Sequence, residues 1–291
     1  MSGFAAGPDP GSVHLWFCPN EALEEPLAET LAAHWLDEHE HDVARRFMFP
    51  RDRRQYLVAH VLVRRVLSLV TGVPEAEAAI WRSSRGRPFL RSAFGEGPGR
   101  PVPDFNLSHA HGHNVVAVGH GRRVGVDVER TDRAAERGLE WIVQSYSPEE
   151  RARLAELPPG RQRDRATLRL WTLKEAYAKA RGLGLGLPFD SFAFELADDR
   201  GVLRFRPPDD DTADRWTFVE LQPRPEVLVS LAVERGAENS GPARRLFVHD
   251  GFPWGRSTPR ELPLPVPHRS PPAPAGPGRL IRPTPDPRRR P

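Results

Sequence analysis

The stretch Val124-Gly125-Val126-Asp127-Val128-Glu129 predicts a half-buried β-strand and is the most informative pattern in this chain. Successive side chains of a strand point to opposite faces, so the three valines share one face and the two carboxylates share the other. Taken alone, this pattern is typical of an amphipathic edge strand. It is also typical of a cation site, because adjacent carboxylates repel each other unless water or a divalent ion lies between them, and oxygen-only ligation suits magnesium.

A second stretch, Trp171-Thr172-Leu173-Lys174-Glu175-Ala176-Tyr177-Ala178-Lys179, lies inside a helix predicted over residues 162–181. Glu175 and Lys179 share one helix face, where a solvated ion pair contributes only ~0.3–0.5 kcal/mol. Trp171 lies one turn earlier on that face, so the face is not purely solvent-exposed. Glu175 could therefore serve instead as a metal ligand or a base, and Lys179 could bind a phosphate. Of the 42 basic residues, 40 are Arg and both Lys lie here. The compact ammonium is a charge that the planar guanidinium does not reproduce.

The remaining periodicity indicates two similar halves. A helix over 52–70 is stopped by Thr71-Gly72, and the helix over 162–181 is stopped by Gly182. Ser147-Pro148-Glu149-Glu150 has the pattern of a helix start with a capping box. Strands are predicted at 13–17, 79–81, 115–118, 124–129, 191–196, 202–206, 216–221 and 226–233. Because strands and helices do not alternate regularly, the predicted fold class is α+β, with a long helix and a few strands in each half.

Charge and proline content separate the last part of the chain from the rest. Residues 236–291 contain 14 of the 32 prolines and ten Arg but only four acidic residues, so they carry +6 and residues 1–235 carry −3. We predict a disordered Pro/Arg-rich tail over 236–291 and expect its removal to leave activity intact. The slightly acidic body gives no support to nucleic-acid binding, and binding through the tail alone would depend strongly on salt.

Other compositional features indicate a cytoplasmic protein. Cys18 is the only cysteine, which excludes an intramolecular disulfide and fits a reducing compartment. No basic segment followed by an apolar segment opens the chain, so secretion is not expected. The most apolar stretch, 56–70, is interrupted by His60, Arg64 and Arg65, so no membrane span is expected.

Two further polar stretches could bind an anionic ligand. Arg85-Gly86-Arg87-Pro88 places cations around a glycine, and Asn106, Ser108 and His109 are short polar residues suited to phosphate oxygens. The arginine stretch alone is more typical of a solvated loop, and neither stretch assigns a function by itself.

Together and in this order, these stretches resemble the Sfp-type 4'-phosphopantetheinyl transferases, which attach the phosphopantetheine arm of coenzyme A to carrier proteins. The resemblance covers about residues 13–233. The stretches that carry it are 45–47, 85–88, 105–109, 124–129, 171–179 and 182–188. The combination of Gly-Val-Asp-Val-Glu with Trp-x-x-Lys-Glu-Ala-x-x-Lys is specific for this family.

The resemblance implies a fold of two similar α+β subdomains related by a pseudo-twofold axis, with coenzyme A in the cleft between them. The N-terminal half would span 12–120, and the C-terminal half, which carries the metal site, would span 121–235. The tail over 236–291 lies outside the usual extent of the family. The implied activity is Mg²⁺-dependent transfer of 4'-phosphopantetheine from coenzyme A to a carrier-protein serine, with release of adenosine 3',5'-bisphosphate.

The resemblance also implies roles for individual residues. Asp127, Glu129 and Glu175 would hold magnesium against the coenzyme A diphosphate. Glu175 would deprotonate the carrier serine, directly or through water, and Lys179 would neutralise the departing phosphate, so the implied catalytic residues are Asp127, Glu175 and Lys179. The implied coenzyme A contacts are Arg46, Arg51, Arg85, Arg87, Asn106, Ser108, His109 and Lys179.

One position departs from the family. The family usually has a basic residue four positions before Phe47, where this chain has Val43. Arg45, Arg46 or Arg51 could replace that basic residue in binding the 3'-phosphate of coenzyme A.

The implied partner is an acyl or peptidyl carrier protein, bound by a monomeric enzyme. Carrier proteins are usually acidic, so docking is expected to use a local basic and apolar patch, for which the loop over 131–146 is a candidate. The alternative is a non-catalytic coenzyme-binding scaffold that acts through its tail. The intact acidic residues at 127, 129 and 175 argue against this alternative, because a lapsed site should lose such mutually repelling charges.

Overall fold

The computed structural model describes residues 11–90, 102–133, 138–236, 243–255 and 258–265. The α-helices in these ranges are Glu25–Trp35 (α1), Glu38–Arg45 (α2), Pro50–Thr71 (α3), Glu140–Val143 (α4), Pro148–Glu156 (α5) and Arg161–Arg181 (α6). The strands are Ser12–Pro19 (β1), Ile80–Arg82 (β2), Pro88–Leu90 (β3), Pro103–Ala110 (β4), His113–His120 (β5), Val124–Arg130 (β6), Ala193–Leu196 (β7), Val202–Arg206 (β8), Trp216–Arg224 (β9), Val227–Glu234 (β10), Arg245–Asp250 (β11) and Arg260–Pro263 (β12).

The two halves of the chain repeat one strand order. In the N-terminal half, β1 pairs with β5 and β5 with β4, all antiparallel. In the C-terminal half, β6 pairs with β10 and β10 with β9 in the same way. Each unit has one long helix, α3 or α6, which is followed by a two-stranded hairpin, β2–β3 or β7–β8. The predicted α+β class with two similar halves is therefore confirmed.

Apolar side chains form three main cores. One lies between α3 and the N-terminal sheet, and a second lies between α6 and the C-terminal sheet. The third lies between the two sheets, where Leu15 of β1 and Ala117 of β5 share a cluster with Val126 of β6 and Leu231 of β10. This shared core holds the two halves against each other.

The helix ends agree with the capping residues in the sequence. α3 begins with Pro50, since the first helical position needs no N–H partner, and it ends at Gly72 with φ 78°. α6 ends at Gly182, which is also left-handed with φ 69°. At the start of α5, Ser147 and Glu150 form the predicted capping box. Within the described ranges, none of the helices is long and apolar enough to cross a membrane.

The prediction of a disordered tail over 236–291 is wrong for residues 243–255 and 258–265. β11 pairs in parallel with β1, and β12 pairs antiparallel with β11, so both strands extend the N-terminal sheet. Successive side chains of β11 point to opposite faces, and Leu246 lies in the core between the sheets. The prolines that dominate the composition of residues 236–291 lie outside this strand. The rest of the predicted tail after Gly236, which is residues 237–242, 256–257 and 266–291, lies outside the described residues.

Candidate active site

Three side chains meet where the end of α6 lies against β6. Lys179 Nζ is 2.6 Å from Asp127 Oδ1 and donates a hydrogen bond of 3.0 Å to Ser108 Oγ. The Ser108 hydroxyl donates to the same Asp127 oxygen at 2.9 Å. The structure thus brings together three predicted site residues from β4, β6 and α6.

Strand β4 binds β6 through side chains, although the two strands belong to different sheets. Asp104 Oδ2 accepts a hydrogen bond of 2.8 Å from the Val124 N–H, and Asn106 Oδ1 accepts one of 2.8 Å from the Val126 N–H. Ser108 continues this alternation through its contact with Asp127. Every second residue of β4 therefore contributes a side chain that holds β6, which carries the carboxylates of the site.

Gly125 allows α6 to lie directly on β6. A Cβ at this position would be 2.0 Å from the carbonyl oxygen of Ala176 and 2.4 Å from the nitrogen of Ala180. Both are backbone atoms of the helix, so a side chain here would push the helix away from the strand. The close approach brings Glu175 and Lys179 of α6 near the carboxylate that follows on β6.

Asp127 and Glu175 have the electrostatic character of a cation site. Burial, followed by the nearby Asp127 carboxylate, raises the pKa of Glu175, and Lys179 acts in the opposite direction. Asp127 is buried, and its Oδ2 has no hydrogen-bond partner among the residues that the structure describes. An unpaired buried carboxylate oxygen beside a second carboxylate fits a divalent cation, which would stabilise both.

The predicted magnesium ligands are not arranged as a complete ligand set in the protein alone. In the described part of the chain, no group of three or more His, Cys, Asp or Glu side chains could hold a metal ion. Lys179 contacts Asp127, and Glu129 lines the cleft between the halves.

That cleft has a volume of about 910 Å³. Arg51, Gln55 and His109 line it from the N-terminal half, and Glu129 and Trp171 line it from the C-terminal half. Its size falls within the range of small-molecule and cofactor sites. Because His109 follows Ser108 on β4, and Glu129 follows Asp127 on β6 by two residues, the cleft lies beside the cluster around Lys179.

The other predicted ligand contacts fall into two groups. Arg46, Arg51 and Arg85 are exposed, and Arg51 lies at the cleft. Asn106 and Arg87 instead bind protein groups: Asn106 binds the backbone of β6, and the Arg87 guanidinium binds three oxygens of the protein.

Val43 packs against the core beneath α3, which agrees with an apolar residue at this position. Of the residues considered as replacements for the missing cation, Arg45 pairs with Asp42 on its own helix. Arg51 is the one of the three that lines the cleft.

Two features of the site were not among the predicted residues. Asp104 binds β6, and the signal for it in the sequence is the alternation of polar residues at 104, 106 and 108. No strand was predicted over this stretch, which the structure shows as β4. Trp141 lines the cleft and contacts Trp171 edge to face, with ring centroids 5.6 Å apart. It lies in α4, within the segment 131–146 that was predicted to be a loop, and the sequence gave no reason to single out one aromatic residue there.

Comparison with known proteins agrees with this geometry. The sequence profile of the 4'-phosphopantetheinyl transferase superfamily matches residues 123–232, and the profile of the 4'-phosphopantetheinyl transferase N-terminal region matches residues 25–121. The boundary between the two profiles thus falls between β5 and β6, where the strand order begins to repeat.

Individual relatives cover most of the chain. A phosphopantetheinyl transferase of Thraustochytrium sp. is 31% identical over 258 residues, which cover 81% of this chain and 84% of that protein. The 4'-phosphopantetheinyl transferase HetI of Nostoc sp. is 30% identical over 221 residues, covering 76% of this chain and 87% of HetI. The 4'-phosphopantetheinyl transferase Sfp of Bacillus subtilis is 27% identical over 198 residues, covering 68% and 83%.

These matches show that the chain belongs to the 4'-phosphopantetheinyl transferase superfamily, as its motifs indicated. The named relatives are transferases. The chain is accordingly an enzyme, a phosphopantetheinyl transferase.

Proposed function

We propose that this enzyme transfers 4'-phosphopantetheine from coenzyme A to a serine hydroxyl of an acyl or peptidyl carrier protein, with magnesium, and releases adenosine 3',5'-bisphosphate. The observation that carries the proposal is the contact between Lys179 and Asp127, beside Glu175 and next to a cleft between the halves. Phosphoryl transfer requires alignment and charge neutralisation rather than covalent chemistry by the protein. This cluster supplies an ammonium and carboxylates at one place.

Asp127, Glu129 and Glu175 would hold the magnesium ion. The unpaired Oδ2 of Asp127 and the raised pKa of Glu175 support this assignment, because a cation would relieve the repulsion between the two carboxylates. When bound, the ion supplies neutralisation of the negative charge of the diphosphate.

In the transfer step, the serine oxygen forms a bond to the phosphorus that carries the pantetheine arm. The bond from that phosphorus to the bridging diphosphate oxygen breaks, and adenosine 3',5'-bisphosphate leaves with both electrons. Glu175 accepts the serine proton, directly or through water. Lys179 neutralises the departing phosphate, and Ser108 and His109 bind phosphate oxygens.

The nucleotide part of coenzyme A would bind to cations of the N-terminal half. Arg46, Arg51 and Arg85 are exposed, and Arg51 and His109 line the cleft. Guanidinium groups suit phosphate oxygens because they donate in a planar fork. Arg51 is the proposed replacement for the cation that is missing at Val43.

The carrier protein would dock where apolar side chains lie exposed on both sides of the cleft. Met48 and Phe49, between α2 and α3, are 84% and 53% exposed, and Trp141 in the predicted loop is 63% exposed. Exposed aromatic residues at a cleft are typical anchors for a protein partner. Arg51 adds a positive charge for an acidic carrier.

The direct test is to incubate the full chain with coenzyme A, magnesium and an apo carrier protein, and to follow the carrier by mass spectrometry. The carrier is expected to gain the mass of phosphopantetheine, and chelation of magnesium should prevent the gain. Asp127→Asn is the matched variant, because it keeps the shape of the side chain while removing its charge. Absence of any gain across several carriers, together with retained coenzyme A binding, would support the scaffold alternative instead.

The proposal includes a monomeric, cytoplasmic enzyme that does not bind nucleic acid. Size-exclusion chromatography with light scattering measures whether the enzyme is a monomer. A mass of about one chain of 32.7 kDa is expected, and a larger mass would contradict it.

A further inference from the structure

Arg87 binds three oxygens that belong to different parts of the site. Its Nη1 donates to the carbonyl oxygen of Lys179 at 2.8 Å, and its Nη2 donates to the carbonyl oxygen of Val124 at 3.0 Å. Nη2 also donates to the carboxylate of Asp104. The side chains of Arg87 and Asp104 are only 10% and 21% exposed, so this guanidinium is largely enclosed by protein.

Arg87 and Asp104 together bind both backbone polar groups of Val124. The Asp104 carboxylate accepts from the Val124 N–H at 2.8 Å, while the Arg87 guanidinium donates to its carbonyl oxygen. Val124 is the first residue of β6, three positions before Asp127. The pair therefore determines where the strand that carries the metal-site carboxylates begins.

The same guanidinium binds the C-terminal end of α6. The carbonyl of Lys179 lies in the last turn of the helix, where it also accepts from the Gly182 N–H at 3.1 Å and where a cation is favourable. The aliphatic part of Arg87 passes Gly182, where an added Cβ would be 3.0 Å from Arg87 Cδ. A residue of the N-terminal half thus holds the end of the helix that carries Glu175 and Lys179.

Arg87 is itself held in place before any ligand arrives. Its N–H donates to Ser83 Oγ at 3.1 Å, and its carbonyl oxygen accepts from the Ser83 N–H at 2.8 Å. The turn between β2 and β3 is therefore closed at its base, directly behind the guanidinium. These bonds order the backbone of Arg87, from which the guanidinium extends to its three acceptors.

From these contacts we infer that Arg87 and Asp104 form a latch between the two halves, and that they position Lys179 and Asp127 rather than bind coenzyme A. This inference rests on the proposed function, and it replaces the role in nucleotide binding that the family resemblance implies for Arg87. The charge of Arg87 is balanced by Asp104, which leaves little attraction for a phosphate. Both residues are positioning residues, since they act through Lys179 and Asp127.

The test separates positioning from ligand binding by measuring kcat and two dissociation constants. Arg87→Lys keeps the charge but replaces the two guanidinium nitrogens, which bind oxygens of α6 and β6, with a single nitrogen on a shorter side chain. We expect kcat to fall by about 10- to 100-fold, because small displacements of catalytic groups have effects of this order. The dissociation constants for coenzyme A and for 3'-dephospho-coenzyme A, measured by calorimetry, are both expected to stay within about threefold of the wild type.

Arg85→Lys is the matched contrast, since Arg85 lies two residues away and is exposed. As a proposed ligand contact, Arg85 should affect the dissociation constant of coenzyme A more than kcat. Asp104→Asn is the milder second variant of the latch, because its amide oxygen still accepts from the Val124 N–H. The double variant Arg87→Lys/Asp104→Asn is expected to be no slower than the slower single variant, because the two residues act as one unit.

Two results would overturn the inference. One is a kcat for Arg87→Lys within about twofold of the wild type. The other is a dissociation constant that rises more than about tenfold for coenzyme A but not for 3'-dephospho-coenzyme A, which would place Arg87 on the 3'-phosphate. Failure of the proposed function gives a different result, because the wild-type chain itself would then show no turnover.

Discussion

Lys174 and Glu150 form an ion pair of 2.8 Å in the core of the C-terminal half, with side chains that are 0% and 1% exposed. Lys174 Nζ also donates to the carbonyl oxygens of Phe189 and Phe192 at 2.6 and 2.8 Å, so its three protons all have acceptors. Burial lowers the pKa of Lys174 to about 8, and Glu150 opposes this shift. The two lysines of the chain therefore differ: Lys174 supports the fold, and Lys179 belongs to the site.

Lys174→Met is expected to lower the free energy of unfolding by about 3–5 kcal/mol, because it leaves the Glu150 carboxylate buried without its partner. Urea denaturation followed by circular dichroism measures this change. The double variant Lys174→Met/Glu150→Gln removes both charges and should recover part of the loss. A loss below about 1 kcal/mol in the single variant would mean that the pair contributes little to the fold.

Local patterns predicted most of the fold. The helices expected over 52–70 and 162–181 are observed as Pro50–Thr71 and Arg161–Arg181, since helical spacing and capping residues act within a few positions. Asp127 and Lys179, which the family resemblance assigns to one site, are in contact in the structure. For that contact the family resemblance was needed, because no local pattern relates a strand to a helix so far along the chain.

Long-range partners could not be predicted from the sequence. Arg87 binds the carbonyl of Lys179 from 92 positions away, yet in the sequence it lies in an ordinary Arg/Gly-rich loop. β11 was not predicted for a related reason. Proline dominates the composition of residues 236–291, whereas β11 forms through parallel pairing with β1, at the other end of the described chain. In both cases a tertiary contact determines the structure, whereas the local composition predicts a loop or a disordered segment.

The strands β11 and β12 lead to a prediction about truncated chains. A chain that ends at Pro265 is expected to fold and to turn over like the full chain, whereas one that ends at Gly236 is expected to lose activity. The shorter chain lacks Leu246, which is 0% exposed in the core between the sheets. It also lacks Asp250, whose carboxylate binds Arg224 of β9 through two bonds of 3.0 Å and so links the N-terminal sheet to the C-terminal half.

Thermal denaturation measures the melting temperature of both truncated chains, and the carrier assay measures their turnover. Leu246→Ala in the full chain is the point variant, with an expected loss of about 2–5 kcal/mol in the free energy of unfolding. If the chain ending at Gly236 kept its full melting temperature and turnover, β11 would be dispensable and this role of the segment would be wrong.

Gly125→Ala tests the direct packing of α6 on β6. The new Cβ would be 2.0 Å from a backbone oxygen of α6, which cannot move without displacing the helix, so we expect a loss of about 3 kcal/mol in stability together with reduced turnover. Gly186→Ala is the matched control, because nothing lies within 4 Å of a Cβ there. Equal stabilities of the two variants in urea denaturation would contradict the packing argument.

The buried pair of His14 and His249 makes the fold sensitive to acid. His14 Nδ1 and His249 Nε2 are 3.1 Å apart. Burial lowers the pKa of His14 from 6.5 to about 3, with further contributions from His249, His120 and Arg245, and burial lowers the pKa of His249 to about 4. Both imidazoles therefore bind protons more readily in the unfolded chain, so stability is retained above the unfolded value of 6.5 and falls as the pH drops toward 4.

Removal of one imidazole should reduce this dependence on pH. His249→Gln is expected to decrease the slope of unfolding free energy against pH, between about pH 6 and pH 4.5, by up to about 1.4 kcal/mol per pH unit, which corresponds to one proton. The slope does not depend on the baseline stability of the variant, so a general weakening of the fold is not mistaken for the effect. An unchanged slope in urea denaturation at several pH values would show that His249 takes up no proton on unfolding.

Glu175→Gln is expected to stabilise the protein without ligands while removing its activity. Burial and Asp127 raise the pKa of Glu175 in the folded state, so the folded protein holds this proton more tightly than the unfolded chain. Its contribution to stability is therefore greatest below the unfolded pKa and is lost as the pH rises through the folded pKa. The neutral Gln avoids that loss, so the melting temperature of the variant should exceed that of the wild type at about pH 8, and the difference should shrink on acidification.

Turnover of Glu175→Gln should fall by about 10²–10⁴-fold, the range for loss of a general base. Added magnesium should raise the melting temperature of the wild type more than that of the variant, because a bound ion stabilises only the state that ligates it. Thermal denaturation with and without magnesium measures these melting temperatures. Glu156→Gln, on the exposed side of α5, is the control variant, and its melting temperatures should match those of the wild type under both conditions. A melting temperature at about pH 8 below that of the wild type would contradict the electrostatic argument, and full turnover would remove Glu175 from the transfer step.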